Sequence, residues 1–307
     1  MRDTRTIDRD GAATRDRARG ALLGLAAGDA VGTTVEFERR GDFEPLTDMV
    51  GGGPFGLEPG QWTDDTSMAL CLAESLVERD GFDAADQMRR YLRWRDEGHL
   101  SSTGTCFDIG ATVRAALERF ETGGEPFAGS TAPDTAGNGS LMRLAPALLH
   151  GWPEPDRMRR LARESSRTTH GAAECLDTCE LMAELVHRAL SGATKAEILR
   201  PVSLAAPTDA VRAIADMTFV DKGMDEIRGS GYAVESLEAA LWCFAGNDTF
   251  ESAILAAANL GDDADTTAAI CGQLAGAHHG LSGIPAPWIE RLAMRERMLE
   301  LADALVR

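Results

Sequence analysis

The sequence predicts an all-α fold in a single compact domain, on three observations. Apolar residues recur at helical spacing through most of the chain, alternating apolar and polar runs between turns are scarce, and the breaks between periodic stretches are short. Residues 1–17 mix Arg with Asp, lack the apolar heart of a signal peptide and read as a flexible N-terminal tail ahead of a domain spanning 18–307. Periodicity begins within 15–30, where the short apolar run Ala21–Gly32 contains Asp29. Met68, Leu72 and Leu76 recur every fourth residue; Val113, Ala116, Leu117 and Phe120 mark the next stripe, and 171–190 continues the pattern. Leu237, Ala240, Leu241 and Phe244 mark another, followed by helical stretches at 250–260 and 266–279. From about Ala286, with Pro287 in its first turn, the chain reads as one closing helix. Gly51–Gly60 (GGGPFGLEPG) and Thr122–Gly137 are loops too short to link independent domains.

Of the 307 residues, 44% are hydrophobic and 26% charged, the balance of a soluble globular chain, and no apolar run approaches the roughly 20 residues that cross a bilayer. A formal net charge of −18 repels nucleic-acid phosphates and anionic lipid, so neither nucleic acid nor membrane is expected as a partner. An anionic substrate would then need a local reversal of sign, from bound cations or from N–H groups at helix starts. Six scattered cysteines make no disulfide framework; Cys175 and Cys179, four apart, read as buried reduced thiols. Trp62 and Trp242 read as core, and a cytoplasmic monomer is the expectation.

Two segments ask for a common explanation. Thr63-Asp64-Asp65-Thr66 and Asp263-Ala264-Asp265-Thr266 each precede a run of small and apolar helical residues. One carboxylate suffices to cap a helix; a second beside it adds repulsion that the helix dipole offsets only in part. Capping alone is the plain reading of each segment taken separately. If the two meet in space, four or five carboxylates converge with threonine hydroxyls and little lysine, since the chain has only Lys195 and Lys222. Such a cluster must protonate, stay wet or bind cations, and an all-oxygen ligand set favours Mg2+ or Mn2+ over zinc. On residues alone, Glu36 reads as a surface glutamate or a catalytic one, and the Gly137–Ser140 turn as a helix start or an anion site. His170 and Tyr232 read as packed side chains or as substrate contacts.

Seven segments, in order, resemble the ADP-ribosylglycohydrolase family: Gly20–Phe37 (GALLGLAAGDAVGTTVEF), Gly60–Leu70 (GQWTDDTSMAL), Phe107–Gly110, Gly137–Arg143, Thr169-His170, Gly231-Tyr232 and Asn259–Gly280 (NLGDDADTTAAICGQLAGAHHG). The likeness covers roughly residues 18–285. It implies an orthogonal helical bundle with a dinuclear Mg2+ or Mn2+ centre that hydrolyses the bond between the anomeric ribose carbon of ADP-ribose and an acceptor. It implies Thr63, Asp64, Asp65, Asp263, Asp265 and Thr266 as metal ligands, and Glu36 with Asp65 and Asp263 as the catalytic set. Asp108 and His170 would line the substrate cleft, Asn138, Gly139, Ser140 and Met142 would form a phosphate-binding loop, and Tyr232 would meet the substrate.

The TTVEF and TDDTSMAL wording is similar to the bacterial branch of dinitrogenase reductase-activating glycohydrolases. That implies arginine as the acceptor, on a protein or a small molecule, with ADP-ribose as product. Hydrolysis of O-linked ADP-ribose, or ADP-ribose binding without turnover, is the alternative. Two departures from the family wording bear on the site. Asp262 and Ala264 stand where many members have glycine and threonine, and His278-His279 falls where aromatic residues are frequent, which bears on the acceptor side of the pocket.

Overall fold

Every fourth residue from Gly20 to Gly32 is glycine, a spacing that clears a side-chain-free strip along one face of helix α1 (Thr4–Gly32). The helix Ala264–His279 lies antiparallel in that strip. A Cβ at Gly24 would stand 2.3 Å from the Gly272 carbonyl oxygen, and one at Gly28 would stand 2.1 Å from that of Ala268. The two backbones are therefore in direct contact, with no side chain between them.

The computed structural model describes residues 4–306, with side chains from residue 11 onward. After α1 come α2 (Asp64–Arg79), α3 (Ala84–Glu97), α4 (Ala111–Gly123), α5 (Ala145–Gly151), α6 (Pro155–Arg167) and α7 (Ala173–Leu190). Then follow α8 (Lys195–Ile198), α9 (Asp209–Ala215), α10 (Ala233–Gly246), α11 (Phe250–Ala258), α12 (Ala264–His279), α13 (Ala286–Arg291) and α14 (Arg295–Leu305). Strand pairing among the described residues is limited to four isolated bridges, so the all-α expectation holds. No described helix is long and apolar enough to cross a membrane.

The apolar stripes read from the sequence face inward. Leu237, Ala240, Leu241 and Phe244 of α10 join the main core with Leu22, Leu23, Leu72 and Leu76, while Val113, Ala116 and Leu117 of α4 pack with Tyr91 and Trp94 in a second one. All six cysteines are free, and Cys175 and Cys179 are buried.

Three expectations are corrected. The segment expected as a tail is helical from Thr4, and Asp16 accepts from the N–H and hydroxyl of Ser282 (3.2 and 2.9 Å); residues 1–3 lie outside the described residues. The single closing helix is two, α13 and α14. Between them the Ala293 N–H donates to the Gly60 carbonyl (2.9 Å) and Met294 turns to φ +51°, which seats Trp288 and Leu292 in the core. Trp62 is buried as expected, but Trp242 is only half-buried, its indole N–H donating to the Lys222 carbonyl at 3.0 Å.

Candidate metal centre and substrate cleft

Helix starts leave backbone N–H groups without partners. At α2 that need is met from outside the helix. One oxygen of Asp29, on α1, accepts the N–H and hydroxyl of Thr63 (2.9 and 3.0 Å), and the other accepts the N–H and hydroxyl of Thr66 (3.0 and 2.6 Å). Thr63, the capping residue, makes no capping bond of its own. At α12 the capping position is Asp263, which also makes none; its carboxylate instead accepts from the Asn138 side chain at 2.6 Å. Asp265 accepts the Thr266 N–H in the first turn of α12 (2.7 Å), but capping does not account for Asp64, Asp65 or Asp263.

The two acidic segments meet. The Thr266 hydroxyl donates to Asp65 at 3.1 Å, and the Thr63 hydroxyl lies 3.3 Å from an Asp265 oxygen. Carboxylate oxygens of Asp29, Asp65 and Asp265 lie within 4.8 Å of one another, as do those of Glu36, Asp108 and Asp265, so Asp265 is common to two groups with the spacing of a cation site. The antiparallel contact of α1 with α12 brings this about, because the last turn of α1 lies beside the first turn of α12.

The electrostatics are those of a cluster short of positive charge. Burial first, and neighbouring carboxylates second, hold Asp64, Asp65 and Asp265 well above the usual carboxylate range. Burial and the charge of Asp108 push Glu36 up to about 9. Burial together with Asp29 and Asp263 raises Asp108 to about 7, and burial raises Asp29 to about 6 against its threonine hydrogen bonds. Among the described residues no Lys or Arg forms an ion pair with any of these groups. Oε2 of Glu36, a residue only 3% exposed, has no hydrogen-bond partner. Hard oxygen donors, spare lone pairs and excess negative charge fit divalent cations.

A stability signature follows. Without cations, the folded cluster holds protons that the unfolded carboxyls release near pH 4, so stability falls as pH rises through about 6, 7 and 9. In EDTA the melting temperature is expected to be several degrees lower at pH 8.5 than at pH 6, and the gain on adding Mn2+ or Mg2+ is expected to be larger at pH 8.5. Calorimetry at the two pH values checks this; a cation-induced gain that shrinks with rising pH would contradict it.

Above the cluster opens a cleft of about 1030 Å³, large enough for a dinucleotide-sized ligand. Glu36, Asp64, Asp108, Asp263 and Thr266 line its acidic side, and Asn138, Gly139, Met142 and His170 line another. Thr63, Asp65 and Asp265 lie beneath. Ser140 is buried, its hydroxyl accepts from that of Ser166 at 2.8 Å, and it is not among the residues lining the cleft. Tyr232 packs beside Ala136, Ala172 and Cys175, while its neighbours Ser230 and Gly231 line the cleft. His278 stacks edge-on against Phe244 near the far end of α12, about 20 Å along the helix from its start, so His278-His279 has no part in the pocket lining.

Two residues carry more than the sequence reading gave them. Asp29 lies inside an apolar helical run, where nothing in the local sequence assigns it a role. Arg143 is fully buried, has no carboxylate partner among the described residues, lies over the Tyr91 ring at 4.7 Å, and donates to the Thr169 hydroxyl at 2.6 Å. That hydroxyl is 2.8 Å from His170 Nδ1. With Arg143 donating to that oxygen, the arrangement that sends the threonine proton to Nδ1 leaves Nε2–H as the imidazole's donor beside Gly139. Burial and the Arg143 charge lower His170 to about 3, so it stays neutral at physiological pH. The Gly139 position has no room for a side chain, since a Cβ there would lie 2.8 Å from the His170 ring.

A helical bundle that brings buried carboxylates from both ends of the chain to the floor of a cleft has the build of a hydrolase. The ADP-ribosylglycohydrolase family profile matches residues 10–307, and the chain belongs to that family. It is 47% identical over 297 residues to the ADP-ribosylarginine hydrolase Tri1 of Pseudomonas putida, covering 94% of this chain and 78% of that one. It is 35% identical over 294 residues to the ADP-ribosyl-[dinitrogen reductase] glycohydrolase of Rhodospirillum rubrum, covering 93% of each. A solved structure, described as an ADP-ribosylglycohydrolase-related protein complex, superposes with a TM-score of 0.85 at 46% identity, over 96% of this chain and 99% of that one.

Proposed function

We propose that this protein hydrolyses the N-glycosidic bond between ADP-ribose and an arginine side chain, releasing ADP-ribose. The observation that carries the reading is the meeting of Thr63–Asp65 with Asp263–Thr266 on the floor of the cleft. The arginine acceptor is supported by relatives named for that activity at 47% and 44% identity.

In this reading Thr63, Asp64, Asp65, Asp263, Asp265 and Thr266 would hold two divalent cations, Mg2+ or Mn2+, and Asp29 fixes Thr63 and Thr66 from behind. Cations bound there would supply Lewis acidity toward ribose hydroxyls and a water and would offset the substrate's negative charge. Glu36 carries the mobile proton on its unpartnered Oε2, exchanging it with water or the leaving nitrogen. Neither Gly139 nor Ser140 donates its backbone N–H to a described group, and these N–H groups, with the His170 ring, would receive phosphate oxygens. Met142 and Asp108 shape the cleft walls, and Asn138 steadies Asp263. Tyr232 acts through the position of Gly231. The protein acts in the cytoplasm as a monomer, on an ADP-ribosylated protein or small molecule.

Incubation with arginine-linked and serine-linked ADP-ribosyl peptides tests the reading. Intact ADP-ribose from the arginine-linked peptide, dependent on Mg2+ or Mn2+ and lost in EDTA, is the expected result. AMP with ribose phosphate, or full turnover in EDTA, would refute it.

A further inference from the structure

Phe37 is 67% exposed and sits at φ +66°, a left-handed conformation that bulky side chains rarely adopt. A pair of backbone hydrogen bonds holds it there. Its N–H donates to the Asp262 carbonyl (2.8 Å), and the Asp262 N–H donates to the Glu38 carbonyl (2.7 Å). Asp262 is itself left-handed, at φ +57°, which is the conformation glycine would take at no steric cost. An exposed aromatic ring and an exposed carboxylate are thus locked together, each at a backbone cost, and both line the cleft.

The ring is one of three. Phe37 meets Phe55 edge-on at 6.5 Å between centroids, and Phe55 meets Phe107 at 5.1 Å. Phe37 follows Glu36 in sequence and Phe107 precedes Asp108, so this aromatic rim runs between the two carboxylates that enter the cleft from its own loops. Glu36 keeps one buried oxygen without a partner.

We infer that Phe37 and Asp262, with Phe55 and Phe107 behind them, form the acceptor subsite of the cleft and select a planar cation, a guanidinium, as the leaving group. This rests on the arginine reading above and deepens it. A guanidinium has flat faces for the rings and N–H donors for the Asp262 carboxylate, while Arg114 and Arg228, which line the same cleft, are left for the diphosphate. The nucleotide's diphosphate suits the part of the cleft lined by Gly139 and His170, where the Gly139 backbone N–H has no described partner. The cleft thereby has an anion-accepting side and a cation-accepting side.

The experiment compares wild-type protein, F37L and D262N, loaded with Mn2+, on an arginine-linked ADP-ribosyl peptide, and measures inhibition of each by free ADP-ribose. Asparagine tolerates a left-handed backbone, so D262N removes the charge without a folding burden. Each variant is expected to raise KM about tenfold with kcat within about threefold of wild type. Inhibition by ADP-ribose is expected to stay at the wild-type level, and F37W to restore KM. Unchanged KM in both variants of an enzyme that cleaves the arginine-linked peptide overturns the subsite alone, as does weakened ADP-ribose inhibition, which would assign the rim to the nucleotide. A wild-type protein inactive on that peptide overturns the arginine reading and the subsite together.

Discussion

Asp65→Asn is expected to lower kcat/KM by at least about a thousandfold, the scale of removing several kcal/mol of charge stabilisation from a metal-assisted step. Asp65 is fully buried, takes the Thr266 hydroxyl at 3.1 Å and shares its surroundings with Asp29 and Asp265, so an amide there presents a different donor set to any cation. The direction of the stability change separates this from misfolding. In EDTA, Asp65 is one of several carboxylates held far from their usual ionisation by burial and mutual repulsion. Removing one of them should leave the cation-free protein as stable as wild type or more so, while the rise in melting temperature on adding Mn2+ disappears. A variant that melts early in EDTA, or that still gains the wild-type increment from Mn2+, would remove Asp65 from the proposed ligand set.

Gly272→Ala is expected to cost roughly 3 kcal/mol, near the upper end of overpacking effects, even though alanine gains about 1 kcal/mol over glycine in a helix interior. The new Cβ would stand 2.0 Å from the Gly24 carbonyl oxygen and 2.6 Å from its carbon, and these are backbone atoms of a helix that cannot swing aside. Gly11 supplies the control: it lies in α1 as well, yet a Cβ there meets nothing within 4 Å, so Gly11→Ala should stabilise by up to about 1 kcal/mol. Urea unfolding of the two variants gives opposite signs if the seam is closed by backbone contact. Equal stability of Gly272→Ala and wild type would mean that the helices can part without loss.

How much of this was legible beforehand divides along physical lines. Helical periodicity exposed the stripes of α4 and α10 because each buries one face against one neighbour. The paired acidic segments were legible because a second carboxylate at a helix start has no local reason to be there. The break at Leu292–Met294 was not, since it is imposed by the Gly60 carbonyl, a partner more than 200 residues away. The role of Asp29 was hidden for the same reason: a carboxylate in an apolar run gives no sign that it will cap a different helix. Arg143 stands in the Gly137–Arg143 segment that carries the family likeness, but nothing local marks a guanidinium that will be buried without a carboxylate and hydrogen-bonded to threonine. Asp262 shows the reverse case, where a residue that departs from the family wording acquired a geometric meaning once its left-handed backbone was seen.

The pairing of α1 with α12 also fixes when this molecule can become competent during its own synthesis. The groove on α1 leaves the ribosome well before the helix that fills it, which starts at Ala264, so the whole stretch between them is translated while Gly20–Gly32 lacks its mate. Until then the early aspartates have no opposite number. A nascent chain stalled before that point carries only half of the acidic floor, so activity is expected only once α12 has been made.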